Sequence, residues 1–224
     1  MTMNRSAEQI VKDTGLPRLD SLLNVAEQRY PGPRRAFGKV HMFLVFMTVG
    51  RQPGIGRQRL SESTDLGEGS MRTILKDLRR EGYLDSHIQG CRLTETGTRL
   101  YGMLAGKLVG PISLKTTSLT VGSCQSAVLV RFPGTPIGIG IEQRDSAVRV
   151  GADGATTYII RGGKFFIPGG SHDCEKDYPG QEWPTLRKAL EPSNGDAVVV
   201  CGASDETTAR LGALAAALSL MTTA

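Results

Sequence analysis

The sequence predicts an α+β protein in two halves, and three observations carry that. Apolar residues recur at helical spacing through much of residues 1–110. Strand-like alternation broken by glycine turns dominates from about residue 124. The last apolar stretch is helical again. The 224 residues fit one or two domains, and a hydrophobic fraction of 39% can build a core. Charge divides along the same line. Residues 1–110 hold 17 basic and 11 acidic side chains, net +6, while residues 111–224 hold 10 and 11, net −1. Such asymmetry points to a polyanionic partner for the first half alone. The expected domains are therefore 1–110 and 111–224.

The first half opens with a lead-in, "RLDSLLNVAEQRY", whose Leu19, Leu22, Leu23 and Ala26 have helical spacing. "PGPRR" breaks it. "FGKVHMFLVFMTVG" is apolar almost all round from Val40 to Val49, the pattern of a helix buried in a core or against a partner chain. Pro53 and Gly54 then make a turn, and Ile55, Leu60 and Leu66 mark a short second helix and its exit. In "GEGSMRTILKDLRREGYL", Met71, Ile74, Leu75 and Leu78 define one core stripe. The opposite side carries Gly69, Thr73, Lys76 and Arg80, with Ser70 and Arg72 flanking it near the start. Gly82 ends this third helix. "YLDSHI" and "CRL" form a short hairpin, and Thr94 caps a further helix, "TETGTRLYGMLAGKL". Three helices followed by a hairpin is the layout of a winged helix.

The combination "LGEGSMRTILKDLRREGYL" with "GCRLTETGTRL" resembles the DNA-binding half of prokaryotic winged helix-turn-helix transcriptional regulators, over about residues 36–107. The whole chain also resembles an archaeal group of winged-helix proteins with an uncharacterised C-terminal domain. The resemblance implies a third helix that reads duplex DNA. Charge supports this independently. Between Glu27 and Glu62 no acid occurs, while Arg29, Arg34, Arg35, Lys39, Arg51, Arg57 and Arg59 do. Ser70, Arg72 and Thr73 occupy the first exposed turn, where side chains reach base edges. Arg57, Arg59, Lys76 and Arg80 suit phosphates. Gly67 and Gly69 allow close approach of the backbone, and Arg92 in the wing suits phosphate or the minor groove. A merely solvated helix face is the plain alternative. RNA fits less well, because no aromatic stacking platform is visible.

In the second half, "GPISLKTTSLTVGS" has the composition of a linker merging into a strand. "SAVLVRF" is a strand, and "IGIGIEQ" another. "AVRVGADGATTYIIRGGKFFIPG" alternates, with turns at Asp153-Gly154 and Gly162-Gly163, and predicts a three-stranded antiparallel β-meander. "SHDCEKDYPGQ" is a loop, "PTLRKAL" a short helix, and Ala197–Cys201 a buried strand. An Ala-rich terminal helix follows, expected to pack on its own sheet.

Catalytic and metal constellations are missing from this pattern, and no cofactor is implied. Adjacent residues such as His172, Asp173, Cys174 and Glu175 rarely converge on one ion. "GIGIEQ" is set aside as a dinucleotide fingerprint because no helix is expected after it. The best ligand candidate is the strand-to-helix junction Gly202, Ala203, Ser204 and Asp205, where open backbone N–H groups suit an anion. Capping by Ser204 or Asp205 is its plain alternative. Cys91, Cys124, Cys174 and Cys201 are scattered, which argues against a disulfide framework or structural zinc and for a reduced, cytoplasmic setting. The N-terminus lacks a secretory apolar core, and "LGALAAALSLM" has about half the ~20 residues a membrane span needs. The expected protein is a regulator, not an enzyme. It binds double-stranded DNA as a homodimer, because paired half-sites suit a dimer. Val40–Val49 and the lead-in are candidate interfaces, and the second half is expected to sense a small ligand or mediate assembly. An enzyme with a DNA-binding appendage is the rival from another class, and a protein-binding adaptor is a third.

Overall fold

A computed structural model describes residues 18–27, 35–87, 90–134 and 137–221. The chain divides into two units, Met1–Ala105 and Gly106–Ala224. In the first, the lead-in forms α1 (Leu19–Asn24), with Leu22 and Leu23 buried. Residues 28–34, which include Arg29 and Arg34, lie outside the described residues. α2 (Lys39–Arg51) buries Val40, Met42–Met47 and Val49. α1, α3 (Arg57–Thr64), α4 (Glu68–Arg80) and the hairpin all pack on α2. The all-round apolar pattern is thus satisfied inside this unit, the core alternative of the two the sequence left open for Val40–Val49. Asp65, in the left-handed region at φ 53°, turns the chain between α3 and α4. Beyond α4, Gly82 at φ 76° and the N–H of Tyr83, which bonds the Leu78 carbonyl at 2.9 Å, close the helix end.

The hairpin pairs β1 (Leu84–His87) with β2 (Gly90–Leu93). Residues 88 and 89, where the sequence places the joining turn, are outside the described set. The segment before α3 adds a third rung that the sequence did not suggest: Ile55 bridges to Cys91, and the Gly54 N–H bonds the Cys91 carbonyl at 2.8 Å. Thr94 caps α5 (Glu95–Lys107), its hydroxyl accepting from the Gly97 N–H at 3.1 Å. Helix, rung, helix, helix and hairpin make this a winged-helix unit, as expected.

The second unit is a five-stranded sheet in the order β3-β4-β7-β5-β6, with every neighbouring pair antiparallel. β3 (Leu108–Leu114) begins where α5 ends, so the first part of the expected linker, residues 110–114, is an edge strand, and residues 115–123 form the connection to β4. An edge accepts Pro111, whose missing N–H would break a central ladder, and the register shifts beside it. β4 (Cys124–Val130) follows. "IGIGIEQ" is not a strand: α6 (Ile141–Val148) starts inside it and carries on through "SAV". The expected meander therefore loses its first strand. Asp153-Gly154 makes no hairpin either. The Asp153 N–H bonds the Gly202 carbonyl, and β5 (Gly154–Arg161) enters beside β7 (Ala197–Ala203). The turn at Gly162-Gly163 is as expected, both residues at positive φ, and leads into β6 (Lys164–Phe166). One turn of helix, α7 (Cys174–Asp177), replaces part of the expected loop.

β7 is buried along its whole length. On one face Val198 and Val200 join Ala127, Leu129, Tyr158, Ile160 and Phe165 in a core closed by Trp183, Leu186 and Leu190 of α8 (Glu182–Leu190). On the other lie α6 and the terminal helix α9 (Glu206–Met221), which packs on its own sheet. The α+β class holds for the chain.

Candidate nucleic-acid interface

α4 divides as its spacing dictates. Met71, Ile74, Leu75 and Leu78 are buried. Gly69, Arg72 and Lys76 are exposed, and Ser70 and Thr73 half-buried. The Thr73 hydroxyl donates to the Gly69 carbonyl at 3.0 Å, which leaves its oxygen open as an acceptor. The helix starts at Gly67 with no side-chain cap, so its first N–H groups have no intrahelical partners. Nothing inside the fold demands glycine at 69. A Cβ there would meet nothing within 4 Å, and φ is not positive. The same holds for Gly56 and Gly67, which begin α3 and α4.

The basic residues that the sequence grouped together separate into distinct settings. Arg59 on α3, with Arg72 and Lys76 on α4, is exposed and has no partner among the described residues. Arg57 lies 3.8 Å from Glu68 in an exposed pair, which costs little to open. Arg92 is exposed on β2, directly across from Asp85. Arg80 is turned back along its own helix, 3.2 Å from Asp77 and 3.2 Å from Glu81. Arg35 is held inside the fold by Asp77 at 2.9 Å, and Lys39 pairs with Glu27 at 3.1 Å. The open set is therefore Arg59, Arg72 and Lys76, with Ser70 and Thr73 between them in the chain.

Asp77 is the residue that sequence reasoning missed. It is 3% exposed on the inward side of α4. Its spacing from Ile74 and Leu78 was a usable signal, since it puts an acid beside the core stripe.

The junction Gly202–Asp205 in the second unit is filled from within. A Cβ on Gly202 would fall 1.6 Å from the Val121 carbonyl oxygen, so a neighbouring loop takes the space a ligand would need. Ala203 is buried and paired with Cys124. The Ser204 carbonyl accepts from the Ser123 hydroxyl at 3.4 Å. Asp205 caps α9, accepting from the Thr208 N–H at 2.8 Å, and that bond holds its carboxyl below the usual range. The expected anion site thus already contains a carboxylate. Beside it lies an open cavity of about 520 Å³, lined by the end of β3, the start of β4 and the start of α9, with residues such as Leu114, Cys124 and Glu206. No sequence pattern joins these three segments.

The acidic loop Ser171–Asp177 is also paired, with basic residues of β6 and α8. Lys164 lies 2.8 Å from Asp173, and Arg187 Nε donates to Glu175 at 2.9 Å. Among the described residues no cluster of His, Cys, Asp and Glu could hold a metal. Burial raises the Cys174 thiol and pushes that of Cys201 up to about 12, so neither is poised as a thiolate. "GIGIEQ" does open a helix, contrary to expectation, since α6 begins at Ile141 within it. It still departs from the dinucleotide pattern, because the third glycine position is Gln143, whose side chain is buried.

Comparison with known proteins gives one match in each half. Residues 40–99 match the family described as PH0730-like, N-terminal domain. Residues 121–220 match a domain of unknown function, DUF4443. No curated protein matches the chain. Among solved structures, the hypothetical protein PH0730 from the archaeon Pyrococcus horikoshii OT3 is similar, with 26% sequence identity and a TM-score of 0.65 over 81% of this chain and 91% of that one.

Proposed function

We propose that the chain is a DNA-binding transcriptional regulator whose first unit lays α4 in the major groove. The observation that carries this is the exposed side of α4. Arg72 and Lys76, with no partner among the described residues, stand beside the hydrogen-bonding groups of Ser70 and Thr73 at a helix start that has no side-chain cap. Helices that enter the major groove read bases from their first turns, while flanking cations hold phosphate. Arg59, and Arg57 once Glu68 is displaced, serve the backbone, and Arg92 on the hairpin reaches the phosphate or minor groove beside it. The second unit senses a small-molecule effector or mediates a homodimer. No residue is assigned a catalytic role. Among the described residues no helix is long and apolar enough to cross a membrane, and the proposed place of action is the cytoplasm.

The test is affinity for random and for selected duplexes across a salt series. A DNA-binding protein gives a log–log salt slope of several units, and selection enriches a sequence bound at least a thousandfold more tightly than random DNA. Absence of binding at 50 mM salt sinks the reading.

A further inference from the structure

Two arginines converge on Asp77. Arg35 lies 2.9 Å from Oδ2, and Arg80 lies 3.2 Å from Oδ1 on the next turn of the same helix. Arg35 is itself fixed. Its guanidinium donates to the carbonyls of Val25 and Ala26, both at 3.4 Å, and stacks 5.2 Å over the Phe37 ring. Its N–H groups go to those carbonyls and are not angled at Oδ2, so it acts on Asp77 as a fixed positive charge. Arg80 also donates from Nε to Glu81 at 3.2 Å. Asp77 and Glu81 are 3% and 5% exposed. The cluster is two buried carboxylates, one immobilised arginine and one arginine that reaches solvent.

A buried carboxylate stripped of a partner is costly, whereas an exposed cation gains little from a solvated anion in salt. Arg80 therefore stays on Asp77 and Glu81 when a phosphate approaches, and the two acids beneath it cancel much of its field. Resting on the DNA-binding reading above, we infer that Asp77 and Glu81 together set how many cations α4 offers to a duplex, holding Arg80 out of phosphate contact. Arg72 and Lys76 remain as the open charges of that helix. Through Arg35, Asp77 also ties α4 to the chain that follows α1.

The experiment measures binding of the full chain to a random duplex between 50 and 200 mM salt. Lys76→Ala lowers the log–log slope by about 0.9, which is roughly a threefold smaller loss of affinity over that range. Arg80→Ala leaves the slope as it is. Asp77→Asn together with Glu81→Gln, both similar in shape but uncharged, releases Arg80 from its two carboxylates. Binding to random DNA tightens, the slope steepens by about one, and adding Arg80→Ala reverses both. A slope that falls with Arg80→Ala as it does with Lys76→Ala overturns the inference, and that comparison decides it even where the doubly substituted protein fails to fold. A lower Tm and weaker binding for that protein, without a steeper slope, give the two acids a purely structural role and overturn it too. Wild-type protein that binds no DNA at 50 mM salt removes the DNA-binding reading itself, and this inference with it. A binding protein that fails the Arg80 comparison removes this inference alone.

Discussion

Arg59 and Arg72 have the same charge and similar exposure, but different places on the proposed surface. Arg72 sits in the first exposed turn of α4, where a guanidinium can make two hydrogen bonds to a guanine edge. Arg59 lies on α3, where the proposed docking assigns it to phosphate. Arg72→Ala is expected to weaken selected sites by about 1–3 kcal/mol with little effect on random DNA. Arg59→Ala should weaken both alike and flatten the salt slope by about one. Equal effects of the two substitutions on both duplexes would mean the docking face is misassigned. Asp205 is a residue whose role follows from its bond and not from its exposure. Its carboxyl accepts the Thr208 N–H and is held below the usual range by it. A lowered folded-state value means the carboxylate stabilises the fold above about pH 4, and that the gain is lost as pH falls through the folded-state value. Asparagine keeps a capping acceptor but does not titrate. The Tm difference between wild type and Asp205→Asn should therefore change between pH 7 and pH 3, and a constant difference would assign the cap elsewhere. The sequence showed Arg72 and Asp205 as candidates. It could not show that Arg80 and Arg35 are committed to Asp77, because that depends on burial of an acid whose partners come from two segments.

At the scale of elements, α4 was legible and α6 was not, for a physical reason. In α4 every residue of the apolar stripe is buried, and Asp77 is the one charged residue that joins them, so periodicity and burial agree closely enough to read the helix. In α6 they are opposed. Gln143 and Ala147 are buried while Ile141 and Val148 are exposed, and the alternation of Ile and Gly imitates a strand. What fixes α6 is tight packing on α9. A Cβ on Gly212 would lie 2.4 Å from Cys201 Sγ, 2.8 Å from the Ala152 Cβ and 3.5 Å from the Ala147 Cβ. Gly212→Ala is therefore expected to destabilise the protein by about 1–3 kcal/mol through overpacking. Gly69→Ala should act in the opposite sense. Open space surrounds that position, so alanine adds roughly 0.5 kcal/mol of helix stability. The added methyl group nevertheless stands on the proposed DNA face, and affinity should fall while Tm rises. Denaturant midpoints and binding isotherms on both variants check this. An alanine at 69 that raises Tm and leaves DNA affinity unchanged would take Gly69 off the interface.

For the whole molecule, the charge split and the change from helical to strand-like spacing made two units legible, but not where one ends. Composition made Gly110–Ser123 look like a connector, because Gly, Pro, Ser and Thr are common to linkers and to irregular edge strands. In the structure Leu108 and Val109 already pair with Val130 and Leu129 of β4, so they belong to the second sheet. The charges that motivate DNA binding all lie before α5 ends. We therefore expect residues 1–107 to fold alone and to keep the low-salt DNA affinity of a single unit, with cooperative thermal unfolding and a helical circular-dichroism spectrum. Residues 108–224 should fold with β3 intact and bind no DNA. A fragment that starts at 111 instead loses the Leu108 and Val109 rungs, and with them the buried Leu108 side chain. It should be less stable than the 108–224 fragment by about 2 kcal/mol, the scale of one buried leucine. Equal stability of the two fragments would place the boundary after Gly110, and a 1–107 fragment that unfolds, or folds without binding DNA, would refute the assignment of DNA binding to the first unit alone.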